Sequence, residues 1–244
     1  MNKENANNTK KYIESTIYIG SLHIQHPEPN VFCCTCNDSD LLFNQLLFDR
    51  DRDRDRDRDR ASFFIMNQPF YAESVCSLAQ FIQYNSFSIP TANCMLSTLY
   101  NQYHFLSNKQ YSMSYLDLND IMVINGKHFF FSNGNKLYKM TRNPETEENT
   151  RGYMYITEWY DHKNLFLSPE FIHNKQLPFY CDKSSSLYSL ALIVLYCLKQ
   201  SNPGVSNSLF NSTELLNYYK DTKIFHTLSY CLKDDPVKRE FILF

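Results

Sequence analysis

Apolar residues recur along this chain in two periods. Ala92, Met95, Leu96, Leu99, Tyr103 and Leu106 follow helical spacing, which puts them on one face of a single helix. Ile89-Pro90 opens that helix, because proline lacks an amide hydrogen that the first turn leaves unused anyway. Leu78, Phe81 and Ile82 share one face of an earlier helix, expected around Glu73 to Tyr84. The run Leu187 to Leu198 is apolar nearly all round, as in a helix buried in the middle of a domain. Asn211, with Glu214 three residues on, caps a helix over Thr213 to Tyr219. A last helix holds Phe225, Leu228, Ser229 and Leu232.

Other segments read as extended or irregular. Tyr12 to Gln25 is rich in Ile, Thr and Tyr and predicts a strand. His26 to Asn30 is a turn, and Val31 to Thr35 is the returning strand. Asp38-Ser39-Asp40 offers the cap for a short helix through Phe48. Phe63 to Met66 predicts a buried strand. Ile121 to Ile124 and His128 to Phe131 flank Asn125-Gly126-Lys127. Asn-Gly between β-rich runs is a strong hairpin signal, because both residues tolerate positive φ. Thr141 to Gly152 is charged and irregular, so a mobile loop is expected. From Asp49 to Arg60, Asp and Arg alternate without an apolar residue. Such a tract cannot pack and reads as a solvated loop or an exposed helical extension.

Composition narrows the classes. With 244 residues, 43% hydrophobic and 16% aromatic, the chain can bury one large core or two small ones. The formal charge is -2 with both signs well mixed, so no basic field argues for nucleic acid. In the Asp-Arg tract each arginine has an adjacent competing aspartate. Cys33, Cys34 and Cys36 cluster without a second close pair, which argues against structural zinc. The cysteines read as reduced core residues of an intracellular protein. Met1 to Lys11 is polar and lacks an apolar signal core. No apolar run approaches the roughly 20 residues that a bilayer requires, so a soluble chain with no membrane partner is expected. The seven histidines are scattered, with no H-E-x-x-H, and no G-x-S-x-G occurs.

Several local patterns, taken in order, resemble the protein kinase-like superfamily. Phe63 to Gln68 looks like the hinge strand, and Ser77 to Ile82 like the segment after it. Leu167-Ser168-Pro169-Glu170 is similar to the Ala-Pro-Glu motif that closes the activation segment. Ser185 to Ala191 resembles the start of the central helix. Leu232-Lys233-Asp234-Asp235-Pro236-Val237-Lys238-Arg239 resembles the terminal Leu-x-x-Asp-Pro-x-x-Arg. The resemblance covers roughly Ser62 to Phe244. It implies an α+β kinase-like fold: residues 1–11 a disordered start, 12–66 a reduced β-containing N-lobe with the 49–60 insert, and 67–244 a mainly α-helical C-lobe. It also implies a structural ion pair between Glu170 and Arg239.

The same alignment removes the phosphate-transfer groups. Kinases position ATP with a glycine-rich loop, a strand lysine, a catalytic aspartate and metal-binding carboxylates. No G-x-G-x-x-G occurs, and no lysine lies between Lys11 and Lys109. The strand Val31 to Cys36, where the phosphate lysine belongs, has none. Tyr115 falls where the base aspartate is expected, with Met113 and Ser114 in place of His-Arg. Asp120 replaces the metal-binding asparagine. Ser132-Asn133-Gly134 stands for Asp-Phe-Gly, and serine cannot supply the carboxylate that holds magnesium. Ser186 replaces the aspartate that braces the catalytic loop.

The resemblance therefore implies a pseudokinase-type module that acts by protein–protein interaction or regulation. No catalytic residue, cofactor or metal is expected, nucleotide binding is argued against, and the partner is a protein. Two alternatives stay open. One is an atypical active kinase transferring phosphate from ATP, with Asp117 as base and Asp120 as metal ligand. The other is an unrelated helical structural protein. The Asp-Arg tract and the loop Arg142 to Arg151, with Thr146 and Thr150, are candidate contact or regulatory segments.

Overall fold

A computed structural model describes residues 15–36, 69–142, 152–202 and 210–242. The expectations for the disordered start, the helix at 38–48, the Asp-Arg tract, the strand at 63–66, and Thr146 and Thr150 lie outside the described residues.

Three strands at the start form consecutive hairpins: β1 (Ser15–Ile19), β2 (Leu22–Glu28) and β3 (Val31–Cys36). The single strand expected over Tyr12 to Gln25 is instead broken at Gly20-Ser21, where Gly20 takes φ +59°. Asn30, also at positive φ, makes the second turn. β4 (Pro69–Tyr71) pairs with β3 and completes an antiparallel sheet of order β1-β2-β3-β4. Ile19, Leu22, Ile24, Phe32 and Cys34 face the core.

β5 (Val75–Ser77) leads into α1 (Leu78–Tyr84), so the expected helix begins later than Glu73. Ser77 and Gln80 exchange backbone and side-chain hydrogen bonds in a capping box. α2 (Ile89–Asn108) starts at Ser88, whose hydroxyl accepts from Thr91 N, with Pro90 in the first turn. It buries the six residues of the predicted stripe. β6 (Tyr111–Met113) follows. β7 (Ile121–Ile124) and β8 (His128–Phe131) then form the predicted hairpin, with Asn125 at φ 52° and Gly126 at φ 65°. The Asn125 carboxamide also accepts from Glu73 N and Ser74 N. The sheet order is β5-β7-β8. Gln102 of α2 covers the β8 edge, donating to Phe131 O at 3.1 Å and accepting from Phe131 N at 2.8 Å.

β9 (Leu137–Thr141), β10 (Tyr153–Ile156) and β11 (Phe179–Asp182) join β6 in a third sheet of order β11-β10-β9-β6. α3 (Pro169–His173) lies between β10 and β11 in the chain. Met154, Ile156, Tyr160, Leu167, Phe171, Phe179 and Cys181 form a second, smaller core there. α4 (Ser185–Gln200) is the buried helix that the apolar run predicts, and thirteen of its residues are buried. α5 (Ser212–Tyr218) is capped by the Asn211 carboxamide, which accepts from Thr213 N and Glu214 N. α6 (Lys223–Cys231) closes the order.

These elements correct the expected fold class. The arrangement is mixed, with six helices and three antiparallel sheets among the described residues, rather than a reduced β lobe followed by a mainly helical one. Two of the sheets lie wholly after residue 67, and β4 of the remaining sheet lies there too. The cause is a set of strands three to five residues long. Runs so short carry no clear period-two pattern in the sequence.

The Glu170–Arg239 pair is present. Arg239 forks the carboxylate through Nη1 at 2.5 Å and Nη2 at 2.9 Å. Its remaining donors reach Lys233 O and Asp234 O, and its guanidinium lies 4.9 Å from the Tyr188 ring centre. The arginine side chain is fully buried. The pair thus ties α3 to the turn at Pro236–Lys238 across 69 residues. Glu170→Gln leaves that guanidinium without its counter-charge and is expected to cost about 3–5 kcal/mol. Replacing both partners, Glu170→Leu with Arg239→Met, is expected to cost much less. Urea unfolding of the two proteins measures the difference.

Candidate functional site

The loop Ser114–Asp120 connects β6 to β7 and carries three of the four positions singled out from the sequence. Two serines of α4 hold it. Ser185 Oγ donates to Ser114 O at 3.2 Å, and Ser189 Oγ accepts from Leu116 N at 2.8 Å. Ser186, which stands where the resemblance expects a bracing aspartate, turns back to Lys183 O at 3.0 Å.

Tyr115 is half-buried against Phe171 and Tyr160. Burial, and then the charge of Asp120, pushes its phenol up to about 12. It therefore stays protonated at neutral pH and cannot serve as a base. Asp117 caps the short helical turn Leu118–Asp120. One of its oxygens accepts from Asn119 N at 3.2 Å and the other from Asn164 Nδ2 at 3.0 Å.

Asp120 is buried. Its Oδ2 accepts from Lys136 Nζ at 2.6 Å and its Oδ1 from Asn133 Nδ2 at 2.7 Å. Burial raises its pKa, and the Lys136 charge and the hydrogen bonds from Lys136 and Asn133 work the other way. Ser132 has no exposed surface. Its N and Oγ both donate to Asp120 O, at 2.7 and 2.8 Å. Asp120 and Ser132 thus meet, but the cation between these loops is a lysine side chain. Among the described residues, no group of three or more His, Cys, Asp or Glu could hold a metal ion.

The β1–β2 turn is seated directly on both loops. Gly20 N donates to Asn119 O and Ser21 N to Ser132 O, each at 2.9 Å. Ser21 Oγ donates to Ser132 O at 3.2 Å and accepts from Gly134 N at 2.9 Å. A Cβ on Gly20 would stand 2.5 Å from Ser132 O. Backbone meets backbone here, with no room for a ligand between them.

Beside Lys136, a cavity of about 170 Å³ opens between Tyr115, β9 and residues 156–171. Lys136 Nζ lies 4.0 Å from the Tyr115 ring centre at its wall, a cation–π distance. Tyr160 fixes one side by donating between Phe171 O and Asn174 O, 2.6 Å from each.

Sequence reasoning missed Gly20, Ser21, Lys136, Ser189 and the aromatic wall. Gly20-Ser21 carried a usable signal, because glycine inside a strand-like run marks a break. Lys136 carried none, because its spacing from Asp120 follows no motif.

Two substitutions test this geometry. Gly20→Ala combines a left-handed backbone with a backbone clash and is expected to cost roughly 2–5 kcal/mol, measured by denaturant unfolding. A loss under about 1 kcal/mol would mean that the turn is not seated on Ser132. Lys136→Met removes the counter-charge of Asp120, whose folded pKa already lies above its unfolded value. Such a group stabilises the fold when protonated, and stability falls as pH rises from the ordinary aspartate range through the folded value. Removing Lys136 raises the folded value further. The stability gap to wild type is therefore expected to be small in acid and to widen toward neutral pH, reaching about 3–5 kcal/mol. Unfolding curves across pH measure it, and a gap independent of pH contradicts the pairing.

The chain matches no protein-family model and resembles no curated protein closely enough to be identified by it.

Proposed function

We propose that this chain is a catalytically inactive, protein kinase-like module that works by contact with a partner protein. The observation that carries the reading is the closed junction at Asp120. Phosphoryl transfer needs an open cleft, a cation for the phosphates and a carboxylate free to hold metal. Here both Asp120 oxygens are engaged by Lys136 and Asn133. The Gly20–Ser21 turn fills the space over Asn119 and Ser132. Tyr115 and Ser132 supply neither a base nor a metal ligand.

Relationship to the kinases is supported by the order of the pieces: the β7–β8 hairpin, the buried helix α4, and the forked Glu170–Arg239 pair. The active alternative draws no support from Asp117, because both of its oxygens already accept hydrogen bonds. No helix among the described residues is long and apolar enough to cross a membrane.

Isothermal titration with ATP and magnesium is expected to show no stoichiometric binding tighter than about 1 mM. Stoichiometric binding that disappears in Asp120→Ala would overturn the proposal and favour the enzyme.

A further inference from the structure

The cavity beside Lys136 is walled by aromatic rings from Tyr115, Tyr138, Trp159, Tyr160 and Phe171, and Asn133, Asn135, Lys136, Ile156 and Glu158 complete the lining. At about 170 Å³ it falls below the roughly 300–1,000 Å³ that suits a drug-sized ligand. Its size fits the end of one side chain.

Its chemistry favours a cation. Aromatic faces attract positive charge, and this wall already holds the Lys136 ammonium over Tyr115. That ammonium is neutralised by Asp120 at 2.6 Å. Three further carboxylates remain within electrostatic reach. Asp117 and Asp161 act on the Tyr115 phenol, and Glu158 acts on the Tyr138 phenol. Glu158 is exposed and has no ion-pair partner among the described residues. With the Lys136 charge already paired, the further charges named here are negative, which favours a cation over an anion.

Trp159 is 78% exposed at this wall, and the same segment exposes Leu165 and Ile172. An indole held open to water in the same lining as an exposed carboxylate matches the way a guanidinium is recognised, by stacking on one face and forking to a carboxylate. An ammonium is more strongly hydrated and cannot stack in this way.

We propose that this cavity receives one arginine side chain of a partner polypeptide, stacked on Trp159 and paired with Glu158. The proposal rests on the reading of the chain as a non-catalytic binding module and names what that module grips.

Trp159 is the only tryptophan in the chain, so tryptophan emission, excited selectively over the tyrosines, reports on this cavity. The probes are three blocked pentapeptides with apolar neighbours and a central arginine, lysine or citrulline. The arginine peptide is expected to give a saturable emission change. The lysine peptide binds about fivefold more weakly or worse, and citrulline gives no response. Glu158→Gln, an exposed change expected to leave the melting temperature unaltered, weakens the arginine peptide by about tenfold. Equal binding of the lysine or citrulline peptide, an unchanged affinity in Glu158→Gln, or no saturable response to arginine overturns the proposal. A titration of the same sample with Mg-ATP separates the two readings. Silence toward both peptide and nucleotide removes only the arginine site, whereas stoichiometric nucleotide binding removes the non-catalytic reading beneath it.

Discussion

A carboxylate taken out of water must find its counter-charge inside the protein, and Asp120 organises its surroundings under that constraint. Its two oxygens draw in Lys136 and Asn133. Its backbone carbonyl receives both donors of Ser132. The Ser132 carbonyl, in turn, receives Ser21. Three segments distant in the chain are thereby joined: the first hairpin, the β6–β7 loop, and the turn after β8. Each link positions the next, so the seat of the Gly20–Ser21 turn depends on the charge pair beneath it.

The same pair bears on chemistry. A lysine ammonium is one fixed positive charge at the end of its own side chain, and it satisfies Asp120 without any bound partner. A carboxylate used in phosphoryl transfer must leave an oxygen for a divalent ion that bridges to phosphate. On the proposed reading, the residues that join elements are the ones retained: the Glu170–Arg239 fork and the serine contacts from α4 to the loop. On that same reading, the Gly20–Ser21 turn lies where a nucleotide would otherwise sit, hydrogen-bonded to Asn119 O and Ser132 O. The aromatic cavity beside Lys136 is open, its wall shares Tyr115, Tyr138, Ile156, Tyr160 and Phe171 with the smaller core, and the exposed Trp159 meets solvent there.

Legibility in the sequence followed the strength of the local pattern. The stripe from Ala92 to Leu106 spans four helical turns, and all of its members are buried in α2. Asn125-Gly126 needs positive φ at both residues, and no other pairing of the flanking β-rich runs satisfies that so directly. The Asn211 cap is equally local. By contrast, β6, β9, β10 and β11 are short, and their partners lie far away in sequence. Tyr138 and Tyr153 to Ile156 read as scattered aromatics until β9, β10 and β11 bring them into one sheet. That loss is why a mainly helical second half was expected and a mixed arrangement was found.

By itself the sequence determined the helices with a strong period and the hairpin at Asn125-Gly126; the stretch without lysine between Lys11 and Lys109 and the serine at 132 bear on phosphate transfer only on the proposed kinase-like reading. It also supplied Glu170 and Arg239 as candidates for one pair. Those features depend on residue identity or on spacing within a few turns. Only the tertiary structure decided which cation neutralises Asp120, where the Gly20–Ser21 turn comes to rest, and which rings line the cavity beside Lys136. Such choices are made by distance and desolvation between segments, and the separation of two residues along a chain carries no information about either.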